Sequence, residues 1–294
     1  MGAVDMHAAL AASAFFAALL VITAAWLWGP PLATAWRRLR VRRQPFPAAW
    51  REVLRQRWPA FARLPDDVQW QIKKHAQVLI AEKPFIGCAG LVVTDEMRVL
   101  IAAQAALLLL NRHTAALRDL RQVLVYPGAF IVDRQVADGT GVAHRTRRVL
   151  AGESWQQGQV ILSWGDVLAD AANAERGRNV VVHEFAHQLD QETGAANGAP
   201  ALPTAARRRQ WAHVMSTAFA DLQARVSRDE PGLIDVYGAT DPAEFFAVLS
   251  ELFFTRPAGL MQTHPALYRE LALLYRASPV HWLDSHVVTR RPPP

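Results

Sequence analysis

The sequence predicts an α+β protein: one mainly helical domain with a small sheet, preceded by a single amino-terminal transmembrane helix. Three observations predict this. An uncharged apolar run lies near the amino terminus, apolar residues recur at helical spacing through most of the remaining chain, and short β-rich runs cluster between residues 122 and 164. The 294 residues, 51% hydrophobic and 20% charged, suffice for one large domain and exclude a low-complexity or coiled-coil protein.

The amino-terminal helix is predicted from residues 8–28, which carry no charge. As a helix, this run spans about 31 Å, close to the thickness of a bilayer's hydrocarbon core. Pro30 and Pro31 are predicted to end the helix, and five arginines follow between residues 37 and 43. The positive-inside rule then gives a single-pass protein of the inner membrane whose domain faces the cytoplasm. A cleaved signal peptide and a buried core helix are the alternatives.

The domain boundaries follow from the composition. Residues 1–43 are predicted to form the anchor and its basic juxtamembrane segment, residues 44–286 the folded domain, and residues 287–294 a loose tail. The single cysteine, Cys88, excludes an intramolecular disulfide and favours a reducing compartment. Much of the net charge of +6 lies beside the apolar run, which indicates a membrane surface as partner and argues against direct nucleic-acid binding.

Along the predicted domain, apolar residues first recur at helical spacing, β-rich runs separated by Gly or Pro follow, and helical spacing then returns. The predicted helices are 48–58, 65–83, one that opens at Asp95, 178–192, 204–227, 242–254 and 265–275, and the predicted strands are 123–126, 130–132 and 160–164. The last strand is a candidate edge for pairing with an extended substrate, with an interior position as the alternative.

The most informative segment places His183, Glu184 and His187 in an H-E-x-x-H arrangement. Residues four apart share one face of a helix, so both histidines can direct a ring nitrogen at one metal ion. Neutral imidazole suits tetrahedral Zn²⁺, and Glu184 then lies where a general base for the activated water belongs. The alternative is two partly buried histidines on an ordinary helix.

A zinc site of this kind needs a third protein ligand. Glu244 and Glu251 lie seven residues apart on one face of the predicted helix 242–254, among apolar residues where carboxylates are costly to bury alone. Glu244 is the predicted ligand, and Glu251 is predicted to orient a ligand histidine. The alternative for Glu244 is an exposed carboxylate favoured by the helix dipole.

Several segments resemble the Mlc titration factor family of zinc peptidases, and the resemblance covers residues 46–282. The matching segments are 123–133, 148–167, 179–190, 197–203, 234–254 and 264–275, of which 152–156 and 237–246 are more specific than the histidine motif. The resemblance implies a zincin-like metallopeptidase fold. It also implies aminopeptidase-type activity and binding to a sugar-responsive transcriptional repressor that controls glucose uptake.

The same resemblance implies a role for each site residue. It assigns His183, His187 and Glu244 to zinc, Glu184 to the general base, and Tyr237 to stabilising the tetrahedral intermediate. The predicted function is therefore a membrane-tethered, zinc-dependent, aminopeptidase-like hydrolase acting on peptide or protein substrates. A regulatory protein that captures a repressor at the membrane, with little or no catalysis, is the alternative. Charged residues close to the motif argue against an intramembrane protease.

Overall fold

The computed structural model describes residues 2–111, 117–137, 143–150, 152–155 and 158–282. The chain divides into two compact units, Met1–Pro45 and Phe46–Pro294. The predicted loose tail, residues 287–294, lies outside the described residues.

The first unit is built on helix α1, Gly2–Arg43, which continues through Pro30 and Pro31. The predicted helix end at this pair is wrong: proline's φ of about −65° is itself helical, so the pair removes two backbone hydrogen bonds without forcing an end. The arginines between residues 37 and 43 therefore belong to the same helix.

The predicted transmembrane helix is not supported. Across the residues whose positions are described, no helix is both long enough and apolar enough to span a bilayer. The prediction of a membrane-spanning segment at residues 8–28 is therefore wrong. The single-pass, inner-membrane location that was derived from it is wrong for the same reason.

The second unit is mostly helical and contains the small sheet, as predicted. Its α-helices are α2 (Ala48–Arg57), α3 (Asp66–Glu82), α4 (Asp95–Ala105), α5 (Trp164–Ala172), α6 (Val180–Asp190), α7 (Ala205–Ser227), α8 (Pro242–Thr255), α9 (Pro257–Thr263) and α10 (Pro265–Tyr275). Its strands are β1 (Phe85–Gly87), β2 (Gln122–Tyr126), β3 (Phe130–Ala137), β4 (Ala143–Leu150), β5 (Gly152–Trp155) and β6 (Gln159–Ser163).

The larger sheet has four strands in the order β1-β2-β6-β5. The first three strands are parallel, and β5 pairs antiparallel with β6. β6 is therefore an interior strand, so its predicted role as a substrate-pairing edge is wrong, and β5 occupies that end of the order. The remaining strands, β3 and β4, form a separate antiparallel pair.

The core places α6 in contact with α4, α8, β5 and β6. Val181, Val182 and Phe185 on α6 are at most 1% exposed, as are Phe246 and Leu249 on α8. Burial of these large apolar side chains provides most of the stabilising free energy at this interface. It also fixes how the polar faces of α6 and α8 meet.

Candidate metal centre

Helix α6 begins with a side-chain cap that fixes its first turn. Asn179 Oδ1 accepts a hydrogen bond from Val182 N at 3.0 Å, and Asp170 Oδ2 accepts one from Val180 N at 2.9 Å. Such caps satisfy backbone donors that a helix start leaves unpaired. The helix thereby presents His183 and His187, one turn apart, toward α8.

Helix α8 begins in a similar way. Asp241 Oδ1 accepts hydrogen bonds from the backbone N of Ala243 and of Glu244, both at 2.9 Å, and Pro242 occupies the first turn. Proline suits this position because its missing N–H has no helical partner to lose. Glu244 is thus held in the first turn of α8, facing α6.

Three side chains converge between the two helices. Glu244 Oε2 lies 3.0 Å from His183 Nε2 and 3.3 Å from His187 Nε2, and the two Nε2 atoms lie 3.3 Å apart. The side chains of His183, His187 and Glu244 are 12%, 10% and 18% exposed. The structure therefore brings the three predicted ligands together, in a group that could hold one metal ion.

Glu251 connects this group to the start of α6. Its Oε1 lies 2.7 Å from His183 Nδ1, and its Oε2 accepts a hydrogen bond from Asn179 N at 2.5 Å. A carboxylate on Nδ1 leaves Nε2 of the same ring as the nitrogen that faces Glu244. The structure thus places Glu251 where the sequence predicted it.

The hydrogen bonds continue into the core. Asn179 Nδ2 donates to Gln104 Oε1 at 2.8 Å, and Gln104 Nε2 donates to Leu100 O at 3.3 Å within α4. Gln104 and Asn179 were not among the predicted site residues. The available signals were a lone amide in the apolar run of α4 and an Asn directly before a valine run.

Glu184 is 4% exposed and lies beside the two histidines. Burial raises its pKa to about 7, against the lowering effect of His183 and His187. Among the described residues, its buried Oε2 has no hydrogen-bond partner. An unpartnered buried carboxylate oxygen is costly in a folded protein, so the atom fits a site that takes up a cation and a water molecule.

The local charges favour a cation at the histidines. Burial opposes the charged form of His183, but Glu244 and Glu251 outweigh burial and raise the pKa of its imidazole. Burial alone would raise the pKa of Glu244, but hydrogen bonds with the two imidazoles lower it. Two imidazoles and a carboxylate are a typical ligand set for zinc. The negative charge of the carboxylate favours a bound cation.

Tyr237 lies in the short 3₁₀ helix Val236–Ala239, and its side chain is 39% exposed. Its ring centroid lies 6.0 Å from that of His183. Both residues, with Glu184, line one cleft of about 470 Å³. The structure therefore places the Tyr237 ring beside His183, in a cavity large enough for a small ligand.

In the loop after α6, Gly198 contacts both α6, which carries the two histidines, and α8, which carries Glu244. Its N donates to Asp190 Oδ2 at 2.7 Å, and its O accepts from Trp211 Nε1 at 2.8 Å. A Cβ at this position would lie 2.4 Å from Pro242 O, and φ is +74°. Only glycine tolerates both the positive φ and the close approach to Pro242 O. Gly198 therefore packs the end of α6 against the start of α8.

The chain is similar to known proteins over most of its length. The family model described as "Glucose-regulated metallo-peptidase M90" matches residues 33–276. An uncharacterized protein of Synechocystis is 38% identical over 258 residues, which are 87% of this chain and 94% of the relative. Mlc titration factor A of Klebsiella pneumoniae is 36% identical over 225 residues, 76% of this chain and 84% of the relative. Mlc titration factor A of Yersinia pestis is 35% identical over 255 residues, 84% and 92% of the two chains.

Proposed function

The chain belongs to the family of glucose-regulated M90 metallopeptidases, and from that premise we propose that it is a zinc-dependent, aminopeptidase-like hydrolase. The observation that carries this proposal is the convergence of His183, His187 and Glu244 beside the unpartnered Oε2 of Glu184. That oxygen is buried beside the two histidines without a hydrogen-bond partner among the described residues, so it is available to a water molecule at the site.

His183, His187 and Glu244 are proposed to hold the zinc ion. When bound, zinc polarises the scissile carbonyl and lowers the pKa of water toward about 7. Glu251 keeps His183 oriented by accepting a hydrogen bond from Nδ1, the ring nitrogen that does not face the ion. This hydrogen bond also makes the imidazole a stronger metal ligand.

Glu184 is proposed as the general base. Its carboxylate accepts a proton from water as the new C–O bond forms, and returns that proton to the amine as the C–N bond breaks. Burial raises the pKa of this carboxyl, which favours its taking up a proton from water. Burial keeps the carboxylate away from bulk water, which would otherwise compete for the same proton.

Tyr237 is proposed to donate its hydroxyl proton in a hydrogen bond to the oxyanion that develops on the scissile carbonyl. Its position on the cleft wall, partly exposed and beside His183, supports this role. One such donor is often worth about 2.7–4 kcal/mol in the transition state.

The test is hydrolysis of defined peptides by the full chain loaded with zinc, compared with the Glu184→Gln variant. We expect the wild type to release amino-terminal residues from unblocked peptides and the variant to bind zinc without turnover. Cleavage of blocked peptides only would contradict the aminopeptidase-like specificity. Equal turnover by the two proteins, both zinc-loaded, would contradict the proposed base.

A second candidate function is binding to Mlc, which is named in the relatives from Klebsiella pneumoniae and Yersinia pestis. Those relatives match more than three quarters of this chain, so we extend the interaction to it as a proposal. Titration calorimetry of the chain against purified Mlc protein tests this function. A saturable complex that Glu184→Gln also forms would support binding independent of catalysis, whereas no heat of binding would contradict it.

A further inference from the structure

The cleft that contains His183 and Glu184 also has a basic wall, made by Arg176, Arg178 and Arg256. Arg176 ends a short 3₁₀ helix, Arg178 directly precedes the residue that caps α6, and Arg256 directly follows α8. Two segments that are distant in sequence therefore contribute positive charge to one cavity.

Gly177 holds these two segments together. Its φ is +77°, and a Cβ there would lie 3.1 Å from Arg256 Cδ and 3.3 Å from Leu252 Cδ2. The aliphatic part of Arg256 thus packs directly on the residue between Arg176 and Arg178. This contact brings the Arg256 side chain to the segment that carries Arg176 and Arg178, so the three positive charges face one cleft and favour an anion there.

Asp235 and Glu251, which line the same cleft, have hydrogen-bond partners elsewhere, and the cleft's Glu184 is the proposed base. Asp235 Oδ1 accepts from Tyr237 N, and the two oxygens of Glu251 face His183 Nδ1 and Asn179 N. Within the ranges that the structure describes, none of the three guanidinium groups forms an ion pair or a hydrogen bond. Arg207, by contrast, is paired with Glu270 at 2.8 Å.

The backbone at the start of α6 is also committed. Asn179 N, Val180 N and Val182 N donate to Glu251, Asp170 and Asn179 side chains, respectively. With these three N–H groups occupied, the arginine side chains are the charged donors that an anion in this part of the cleft meets. Guanidinium groups bind carboxylates and phosphates through two parallel hydrogen bonds, and a carboxylate is the one of these anions that an unmodified peptide carries.

The distance from the metal centre limits which carboxylate can bind. Arg178 lies two residues before α6, and His183 is the fourth residue of that helix, so the two are close along the chain and line the same cleft. An extended peptide advances about 3.3 Å per residue. We propose that Arg176, Arg178 and Arg256 form a subsite for a peptide carboxylate, either the carboxyl terminus or an acidic side chain, within roughly three residues of the cleaved bond.

This inference deepens the proposed peptidase function, so its test measures binding separately from turnover. The Glu184→Gln chain is titrated by calorimetry with three probes: tetra-alanine with a free carboxyl terminus, the same peptide amidated, and an amidated peptide carrying one glutamate. We expect the free acid or the glutamate peptide to bind at least about tenfold more tightly than amidated tetra-alanine, as charge-assisted hydrogen bonds predict. Tighter binding of free-acid tetra-alanine identifies the carboxyl terminus as the bound group, and tighter binding of the glutamate peptide identifies an acidic side chain.

Arginine variants assign the preference to the proposed wall. Adding Arg178→Gln and Arg256→Gln together reduces the preference to less than about threefold while leaving the affinity for amidated tetra-alanine unchanged. Arg209→Gln, a matched change on the exposed surface of α7, leaves the preference intact. Equal binding of all three probes, no binding of any, or a preference that survives the double substitution would overturn the subsite. Carboxylate-dependent binding without wild-type turnover would support the subsite and contradict the peptidase function instead.

Discussion

Glu251 Oε1 lies 2.7 Å from His183 Nδ1, while the Nε2 atom of the same ring faces Glu244 Oε2 at 3.0 Å. One imidazole thus connects Glu251, which lines the cleft, with Glu244 in the first turn of α8. Because Glu251 also accepts from Asn179 N, a single side chain of α8 fixes both the start of α6 and the orientation of its first histidine.

Glu251→Gln is expected to weaken zinc binding without preventing folding. A glutamine offers one acceptor oxygen where Glu251 uses two, so either His183 or Asn179 loses its partner. Loss of such a supporting carboxylate typically lowers metal affinity about 10–100-fold. Competition with a chromophoric chelator measures the affinity. The matched variant Glu52→Gln, on the exposed surface of α2, serves as the control, and an equal loss in both would refute the positioning role.

Tyr237→Phe is expected to lower kcat about 10²–10³-fold with little change in KM or in zinc content, since the hydroxyl acts only on the developing oxyanion. Steady-state kinetics on an unblocked peptide provide the measurement. Tyr268→Phe removes a buried hydroxyl on α10, away from the cleft, and should leave kcat unchanged. A Tyr237→Phe enzyme with wild-type kcat would remove this residue from the mechanism.

Gly198→Ala is expected to lower both the free energy of unfolding and the affinity for zinc. The new Cβ meets Pro242 O, so α8 shifts relative to α6 and Glu244 moves away from His183 and His187. Backbone strain at positive φ adds about 1–3 kcal/mol. Gly90→Ala is the matched control, because φ there is +80° but a Cβ has open space. Only the Gly198 variant should lose zinc affinity, and identical behaviour of the two would contradict this role.

Asp170→Asn is expected to stabilise the protein relative to wild type increasingly as pH rises. Burial raises the pKa of Asp170 in the folded state, and its hydrogen bond from Val180 N opposes that shift. The folded state therefore binds the proton more tightly than the unfolded state, so wild-type stability falls as pH rises through the window between the two pKa values. The asparagine keeps an acceptor for Val180 N without a charge.

Urea denaturation of both proteins from pH 4 to pH 7 measures this difference. The two curves of unfolding free energy against pH should diverge, with the variant gaining on wild type toward neutral pH. Parallel curves would show that the buried carboxyl of Asp170 titrates alike in the folded and unfolded chains.

Local chemistry explains which elements the sequence predicted well. The helix predicted at residues 265–275 matches α10 because Pro265 marks its first turn and Arg276, at φ +51°, ends it. The H-E-x-x-H spacing indicated His183 and His187, and the apolar setting of α8 indicated Glu244 and Glu251, of which Glu244 meets the Nε2 atoms of both histidines. These signals lie within single helices, where residue spacing and capping residues can be recognised from the local sequence.

The remaining features depend on contacts between distant segments. β1 has only three residues, too few for a periodic pattern, and exists because it pairs with β2. α5 was missed because Trp164 continued a β-rich run, although Ser163 Oγ accepts from Asp166 N and caps the helix. The packing of Gly198 on Pro242 and of Gly177 on Arg256 likewise has no local signature. The anchor prediction failed because no helix of the described residues is long and apolar enough to span a bilayer, and the predicted helix end failed because α1 continues through Pro30 and Pro31.

The most direct test of the central claim is a crystal structure of the zinc-loaded full chain, with the ion located by anomalous scattering at the zinc edge. The account predicts one ion per chain, bound by Nε2 of His183, Nε2 of His187 and a carboxylate oxygen of Glu244, each at about 2.0–2.2 Å. An ion bound elsewhere, or bound without Glu244, would contradict it.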